Sequence, residues 1–352
     1  MLGDASMKAA LITRFGGPEV LSSATVPDPV PDQGEVLVRV AACGVNNVDL
    51  QIRRGARAKL ALPHICGGEV AGTVVALGPG ATTPAVGTKV AVVPFVACGH
   101  CEWCRRGRPT ICSTRDAIGL LRPGGYAELV AVPAVNAIAL PAGVDVESAA
   151  ALSLAGLTAW HMLVGRARLQ PGEDVLVLGA GSGVGSIAIQ LARFCGARVI
   201  ATASNGAKAE RAKTLGADAV VDARRANWSA QVLEATGGRG VDVVVEHVGA
   251  ATWNESVRAL AAGGRLVTCG ATTGSSATLD LMRLFSDELV LLGSRGGNGD
   301  ELEQLLRVAA RGGIEPVIAA RFTLSQAADA HRLMERGDHF GKILLYPERE
   351  DG

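Results

Sequence analysis

The chain's 352 residues are 48% apolar and 19% charged, a composition that fits a globular protein with two buried cores and excludes disordered and fibrous classes. Its 34 basic and 34 acidic residues give a formal net charge of zero, and the basic ones are scattered, so the electrostatic footprint of a nucleic-acid or acidic-membrane binder is missing. No apolar run reaches the roughly 18 residues of a membrane span, and Met1–Ala10 has no basic start leading into an apolar stretch; a cytoplasmic protein is expected.

Met1–Ser6 reads as an extension before the first strand. From Lys8 to about Val132, short alternating segments broken by Gly and Pro, among them Glu35–Val40 and Glu69–Val75, predict a β-rich domain. Within it, Cys98, Cys101, Cys104 and Cys112 stand with two, two and seven residues between them. Four thiolates so spaced suit one tetrahedral zinc, and a closed four-sulfur site leaves no open position for substrate, so this metal is expected to stiffen its lobe. The remaining cysteines, Cys43, Cys66, Cys195 and Cys269, lie far apart, which argues for metal rather than a disulfide framework.

From about Pro171 the texture changes to near-continuous apolar runs, Asp174–Leu178, Arg198–Ala201, Val241–Val245 and Arg265–Thr268, each followed by a helical pattern or a glycine. That rhythm predicts a doubly wound parallel sheet, an α/β fold. The first run enters Gly179, Ala180, Gly181, Ser182, Gly183, Val184 and Gly185 and then an amphipathic helix, Ser186–Phe194. So many glycines let backbone N–H groups approach a pyrophosphate at a helix N-terminus. The strict Gly-x-Gly-x-x-Gly spacing is not met, yet strand, turn, helix and next strand fit within roughly 30 residues. After that strand come Ser204, Asn205 and Lys208, with no acid to hold a ribose 2′-hydroxyl, so a 2′-phosphate and hence NADP(H) is the expected cofactor. Further on, Asp300–Gly312 and Ser325–Arg336 have helical spacing before Lys342–Tyr346, a tail expected to return to the first domain.

A β-rich domain with a four-cysteine lobe, followed by a dinucleotide fold, resembles the medium-chain dehydrogenase/reductase superfamily. Lys8–Ala10 with Gly16–Leu21, Glu69 with Gly72, Gly125–Glu128, Gly240–Val244, Gly263–Val267 and Gly341–Ile343 carry the resemblance along nearly the whole chain. Cys43-Gly44-Val45-Asn46 is similar to the quinone-reductase branch, while much of the rest resembles zinc-binding alcohol dehydrogenases. The resemblance implies a GroES-like catalytic domain over 1–154 plus 296–352, with its zinc lobe at 98–112, and a Rossmann NADP-binding domain over 155–295. It also implies a homodimer, or a homotetramer, built through the dinucleotide domain, and it adds Thr158, Val248 and Lys342 to the cofactor contacts.

Members with catalytic zinc supply a cysteine, a histidine beside a glutamate, and a further cysteine where this chain has Asn46, Gly68 before Glu69, and Leu154 or Ala155. A carboxylate alone cannot build the three-ligand open site, so a metal-bound alkoxide is disfavoured; a displaced set of Cys43, His64, Cys66 and Glu69 is the alternative. The expected reaction is hydride transfer from NADPH to an activated small-molecule acceptor, a quinone, enone or other α,β-unsaturated carbonyl. Asn46 is the first candidate donor to the developing oxyanion, followed by Asn47, Arg53 and His247. Two other readings stand beside it: a zinc-dependent alcohol dehydrogenase, and a nucleotide-binding protein without turnover.

Overall fold

The computed structural model describes residues 5–56 and 60–347. Met1–Asp4 of the expected extension lie outside that range, and Ser6, which closes the extension in the sequence reading, instead opens the first strand. The chain divides into two compact units: 1–157 with 297–311 and 318–352, and 158–296 with 312–317.

In the first unit, residues 6–139 supply β1 (Ser6–Ile12), β2 (Leu21–Pro27), β3 (Glu35–Val45), β4 (His64–Ile65), β5 (Glu69–Leu77), β6 (Lys89–Val92), β7 (Phe95–Val96), β8 (Asp116–Ala117), β9 (Leu129–Pro133) and β10 (Ala137–Ala139). The second unit holds β11 (Asp174–Val177), β12 (Arg198–Ala203), β13 (Ala219–Asp222), β14 (Val241–Glu246), β15 (Leu260–Thr268) and β16 (Val290–Gly293). The chain then returns to the first unit with β17 (Ile318–Thr323) and β18 (Lys342–Tyr346).

The large sheet of the first unit runs β10-β6-β5-β3-β18-β17, with β9 also pairing β3. Strand β3 buries Val36, Val38 and Val40 on one face and exposes Arg39 and Ala41 on the other, the period of two expected when one sheet face covers a core. Strand β18 lies antiparallel to β3, opposing Ile343 to Val45 and Leu345 to Cys43, and parallel to β17. The tail thus returns as expected, and its Ile343, Leu344 and Leu345 are fully buried because β18 is interior to the sheet.

The second unit is a six-stranded parallel sheet in the order β13-β12-β11-β14-β15-β16. Val175, Leu176 and Val177 in β11 and Val243, Val244 and Val245 in β14 are all solvent-excluded; a sheet covered on both faces demands such continuous apolar runs. Strand order reverses between β11 and β14, and loops leaving the carboxyl ends of those two strands form the crevice where doubly wound folds take ligands.

The unit boundaries differ from the expected domains at residue 296, which falls in the second unit, and at two longer stretches, each of these for a local reason. Residues 155–157 stay with the first unit, where the Ala155 N–H donates to Glu69 Oε1 at 2.7 Å. Residues 312–317 join the second, because the Gln190 side chain donates to Glu315 O and accepts from Glu315 N, both at 2.9 Å. Among the described residues, no single helix is long and apolar enough to cross a membrane.

Candidate functional site

In the second unit, β11 ends in a turn whose shape depends on two glycines. Gly179 has φ +59°, and a Cβ on Gly185 would sit 2.2 Å from Gly179 O, so the first tolerates the left-handed backbone and the second lets helix and strand approach. Ser182 caps the helix Gly183–Phe194, accepting from Gly185 N at 2.8 Å; this helix begins three residues earlier than the spacing suggested. Gly179 N donates to Thr202 Oγ1 and Ala180 N to Thr202 O, pinning the turn to β12. The N–H groups of Gly181, Gly183 and Val184 have no partner among the described residues, and with the helix dipole they make a ready anion cradle. The residues fit a pyrophosphate.

Beyond β12, Ser204 and Asn205 are exposed, and Asn205 caps Gly206–Thr214 by accepting from Lys208 N at 2.9 Å. Asp222, at the end of β13, is committed to Arg224, which holds its carboxyl down at about 2. At the end of β14, His247 brings Nε2 within 2.8 Å of Leu178 O and 3.4 Å of Ser182 Oγ, and a Cβ on Gly179 would touch its ring. Because Leu178 O can only accept, Nε2 carries the proton. Burial lowers its pKa, so a neutral imidazole braces the glycine-rich turn. Glu246, next to His247, is fully buried and accepts from Val248 N, Gly249 N, Thr252 Oγ1 and Ser256 Oγ; it fixes the loop that carries His247 and Val248. Thr158 is buried in the helix Ala155–Trp160.

The first unit gathers the four cysteines as spacing implied. Their sulfurs all lie within 4.8 Å of one another, with Cys98 to Cys112 and Cys101 to Cys104 at 3.5 Å and Cys98 to Cys104 at 4.0 Å. A tetrahedron of zinc–sulfur bonds near 2.3 Å has edges of about 3.8 Å, so the donors fit zinc. The N–H groups of His100 and Ser113 draw Cys98 down to about 7 and Cys101 to about 5, toward the thiolates that a cation binds.

The first unit also holds a buried polar cluster. Glu69, fully buried, accepts from Asn46 Nδ2 (2.9 Å), from the N–H groups of Leu154 (3.1 Å) and Ala155 (2.7 Å), and from the ammonium of Lys342. Lys342 also donates to Asn46 Oδ1 at 2.7 Å and Val45 O at 3.2 Å. Asp49, three residues along the helix Asn47–Arg53, accepts from Asn46 N and Gly67 N. Burial pushes Asp49 up to about 7, with the Glu69 charge adding to it, while the two N–H groups and Lys342 oppose.

That placement sets a pH dependence. The folded-state pKa of Asp49 lies above its ordinary 3.8, so the native fold holds its proton more tightly than the unfolded chain does. Stability is therefore fully present below about 4 and is lost as pH rises toward about 7, by at most about 1.4 kcal/mol per pH unit. Urea midpoints of the native chain and of Asp49→Asn, compared at pH 5 and pH 8, are expected to move relative to one another in the variant's favour. Midpoints that shift in parallel overturn this reading.

The four proposed oxyanion donors separate in this structure. Arg53 is 1% exposed: it donates to Gly16 O and His331 Nδ1 and pairs with Glu335, which leaves its guanidinium in the packing of the domain. Since Arg only donates, His331 must carry its proton on Nε2, facing Tyr126 Oη at 3.0 Å; burial and then the Arg53 charge push that histidine down to about 3. Asn46 commits both Nδ2 and Oδ1 to the Glu69–Lys342 pair, and His247 is bound to the turn. Asn47 alone keeps an exposed carboxamide with no partner among the described residues. Lys342, expected at the cofactor, is 2% exposed and turned to Glu69, a pairing between residues far apart in sequence that no local pattern announces.

Among the described residues, Cys43, His64, Cys66 and Glu69 do not gather as a group that could share a metal. His64 Nε2 lies 3.1 Å from Gly119 O, burial raises the thiols of Cys43 and Cys66, and Glu69 is already enclosed. Among the described residues, the four lobe cysteines are the one group of side chains positioned to share a metal. Asn46, Gly68, Leu154 and Ala155 bring no thiolate, imidazole or carboxylate of their own.

Residues 32–142 match the family model described as alcohol dehydrogenase GroES-like domain, and residues 183–311 match that of zinc-binding dehydrogenase. The chain is 33% identical over 347 residues to an NAD-dependent alcohol dehydrogenase of Sulfolobus acidocaldarius, covering 96% of this chain and 99% of that protein. It is 30% identical over 352 residues to a quinone oxidoreductase of Rattus norvegicus, covering 97% and 98%. A crystal structure of an NAD-dependent alcohol dehydrogenase superposes with a TM-score of 0.93 at 41% identity, over 97% of this chain and all of the other.

Proposed function

The chain belongs to the medium-chain, zinc-binding alcohol dehydrogenase family of oxidoreductases, and from that premise we propose that it transfers hydride from NADPH to an activated acceptor, an enone, a quinone or another α,β-unsaturated carbonyl, without a catalytic zinc. One observation supports this reading: Asn46, Glu69 and Lys342 form a closed set of buried partners, with no oxygen of Glu69 left over to reach a metal. Reduction of an activated acceptor needs hydrogen-bond donors rather than a Lewis acid, and the exposed Asn47 carboxamide is the free donor of the four. The nicotinamide supplies the hydride when bound; the glycine-rich turn holds the pyrophosphate, and Ser204, Asn205 and Lys208 hold the 2′-phosphate. The lobe cysteines hold one structural zinc.

A second reading, an alcohol dehydrogenase using NAD and catalytic zinc, is favoured by the names of the relatives, which weigh toward it more than toward quinone reduction. The two differ in a measurement. NADPH and NADH oxidation against a panel of enones, quinones and aldehydes, run with one zinc per chain and again with added zinc, is expected to show NADPH-preferring turnover of enones or quinones that added zinc leaves unchanged. Turnover of simple alcohols and aldehydes alone, with NAD and a second zinc per chain, establishes the other reading. Any turnover eliminates a purely nucleotide-binding role.

Self-association fits the second unit. Strand β16 is an edge of the parallel sheet, and beside it in sequence Leu281, Met282 and Phe285 are each at least 65% exposed on one short helix, an apolar patch of the kind subunit interfaces cover. We assign the exposed face of this helix to a homodimer.

A further inference from the structure

We propose that the second unit carries a separate binding site for a small, multiply charged oxyanion, a phosphate or a di- or tricarboxylate, in a cavity of about 400 Å³ lined by Arg166, Arg168, Gln170, Arg265, Val290 and Leu292. None of these residues belongs to the glycine-rich turn or to the loop after β14, so the cavity is distinct from the nucleotide cradle.

Two of the guanidinium groups are held in place from behind. Arg265 donates through Nε to Ala167 O at 2.8 Å and through Nη2 to both oxygens of Glu173 at 2.7 Å; Arg166 donates through Nε to Gly293 O at 2.9 Å. Each keeps terminal N–H groups that no described residue accepts. The third, on Arg168, has no side-chain partner among the described residues. One carboxylate thus answers three positive charges, two of them held in place, and the cavity lining contains no acid. Like charges gathered in a concave, partly desolvated space repel until an anion enters.

The backbone supplies an independent sign. Arg168 has φ +53°, a left-handed conformation that residues other than glycine, asparagine and aspartate rarely adopt, and Gln170 Nε2 holds its carbonyl there at 2.8 Å. The segment just before it, His161–Arg166, is π-helical, an irregularity that recurs at functional sites. A glycine at position 168 would relax this turn, yet the chain presents a guanidinium from it. Strained positions that persist mark places where the side chain's position matters. Guanidinium forks match the planar oxygens of phosphate and carboxylate, and the apolar wall of Val290 and Leu292 accommodates a short carbon skeleton.

Thermal unfolding of the full chain at constant ionic strength, in chloride, inorganic phosphate or citrate, tests the assignment. Phosphate or citrate at millimolar concentration is expected to raise the midpoint above that in chloride; a response to phosphate alone assigns a phosphoryl group, and to citrate alone a polycarboxylate. The double variant Arg166→Gln, Arg168→Gly is expected to bind the effective anion at least about tenfold more weakly, roughly the loss of one charge-assisted contact. Glycine accepts the backbone at 168, and unchanged binding of a nicotinamide dinucleotide, read by intrinsic fluorescence, shows the variant to be folded. A native chain that responds to neither anion beyond chloride, or a double variant that responds as the native does, overturns the site.

Discussion

Lys342→Met is expected to destabilise the first unit by about 3–5 kcal/mol, because it leaves the carboxylate of Glu69 buried with amide donors but no counter-charge. Glu69→Gln strands the ammonium in the same way, with a loss of similar size. The double variant is expected to recover much of either loss, since two neutral groups of similar volume face one another and neither charge is left desolvated. Chemical unfolding of the two single variants and the double variant, arranged as a double-mutant cycle, measures this. Losses that add without recovery would falsify the pairing as the organising feature of the cluster. The same variants decide between two roles for Lys342. A cofactor contact predicts weakened dinucleotide binding with stability intact; the buried pair predicts the reverse.

Removal of metal from the lobe is expected to have the other large effect. Between Cys98 and Cys112 the lobe buries little apart from Cys112 itself, so sulfur and metal stand where a hydrophobic core would otherwise be. Structural zinc bound by such ligands contributes on the order of 10 to 16 kcal/mol in isolated peptides, far more than the packing here supplies. The native chain is expected to hold one zinc on these four thiolates and to resist trypsin at Arg105 and Arg106. Cys101→Ser, or treatment with a strong chelator, opens those bonds to rapid cleavage while both large sheets persist by circular dichroism. Equal protection with and without metal would show that the lobe folds on packing alone.

What could be read from the sequence was whatever a short stretch of chain decides. The four cysteines announce their site because loop spacing sets which sulfurs can meet, and the glycine-rich turn announces itself because strand, turn and helix are consecutive. The parallel sheet showed through the unbroken apolar runs of β11 and β14. Hidden from sequence were contacts made between distant segments. Lys342 reaches Glu69 only because β18 is laid beside β3, and Arg53 finds His331 and Glu335 only because the helix Ala327–Arg336 packs near it. For that reason Arg53 and Asn46 looked like free donors in the sequence and are structural partners in the fold. Glu246 gave no signal, since one acid at a strand end looks the same whether it caps a loop or faces water.

Strand β18 sits between β3 and β17, so the sheet that the chain begins near residue 35 is not complete until residue 346 has been made. During synthesis one flank of β3 near Cys43–Val45 stays unpaired while the whole parallel-sheet unit is still emerging, and that unit, with all six strands between Asp174 and Gly293, can close first. The unit that is begun first is thus the last to have all of its strands. A chain cut short before Lys342 loses more than a strand: it leaves an open sheet edge lined by apolar residues, and the Glu69 carboxylate with no cation to meet it.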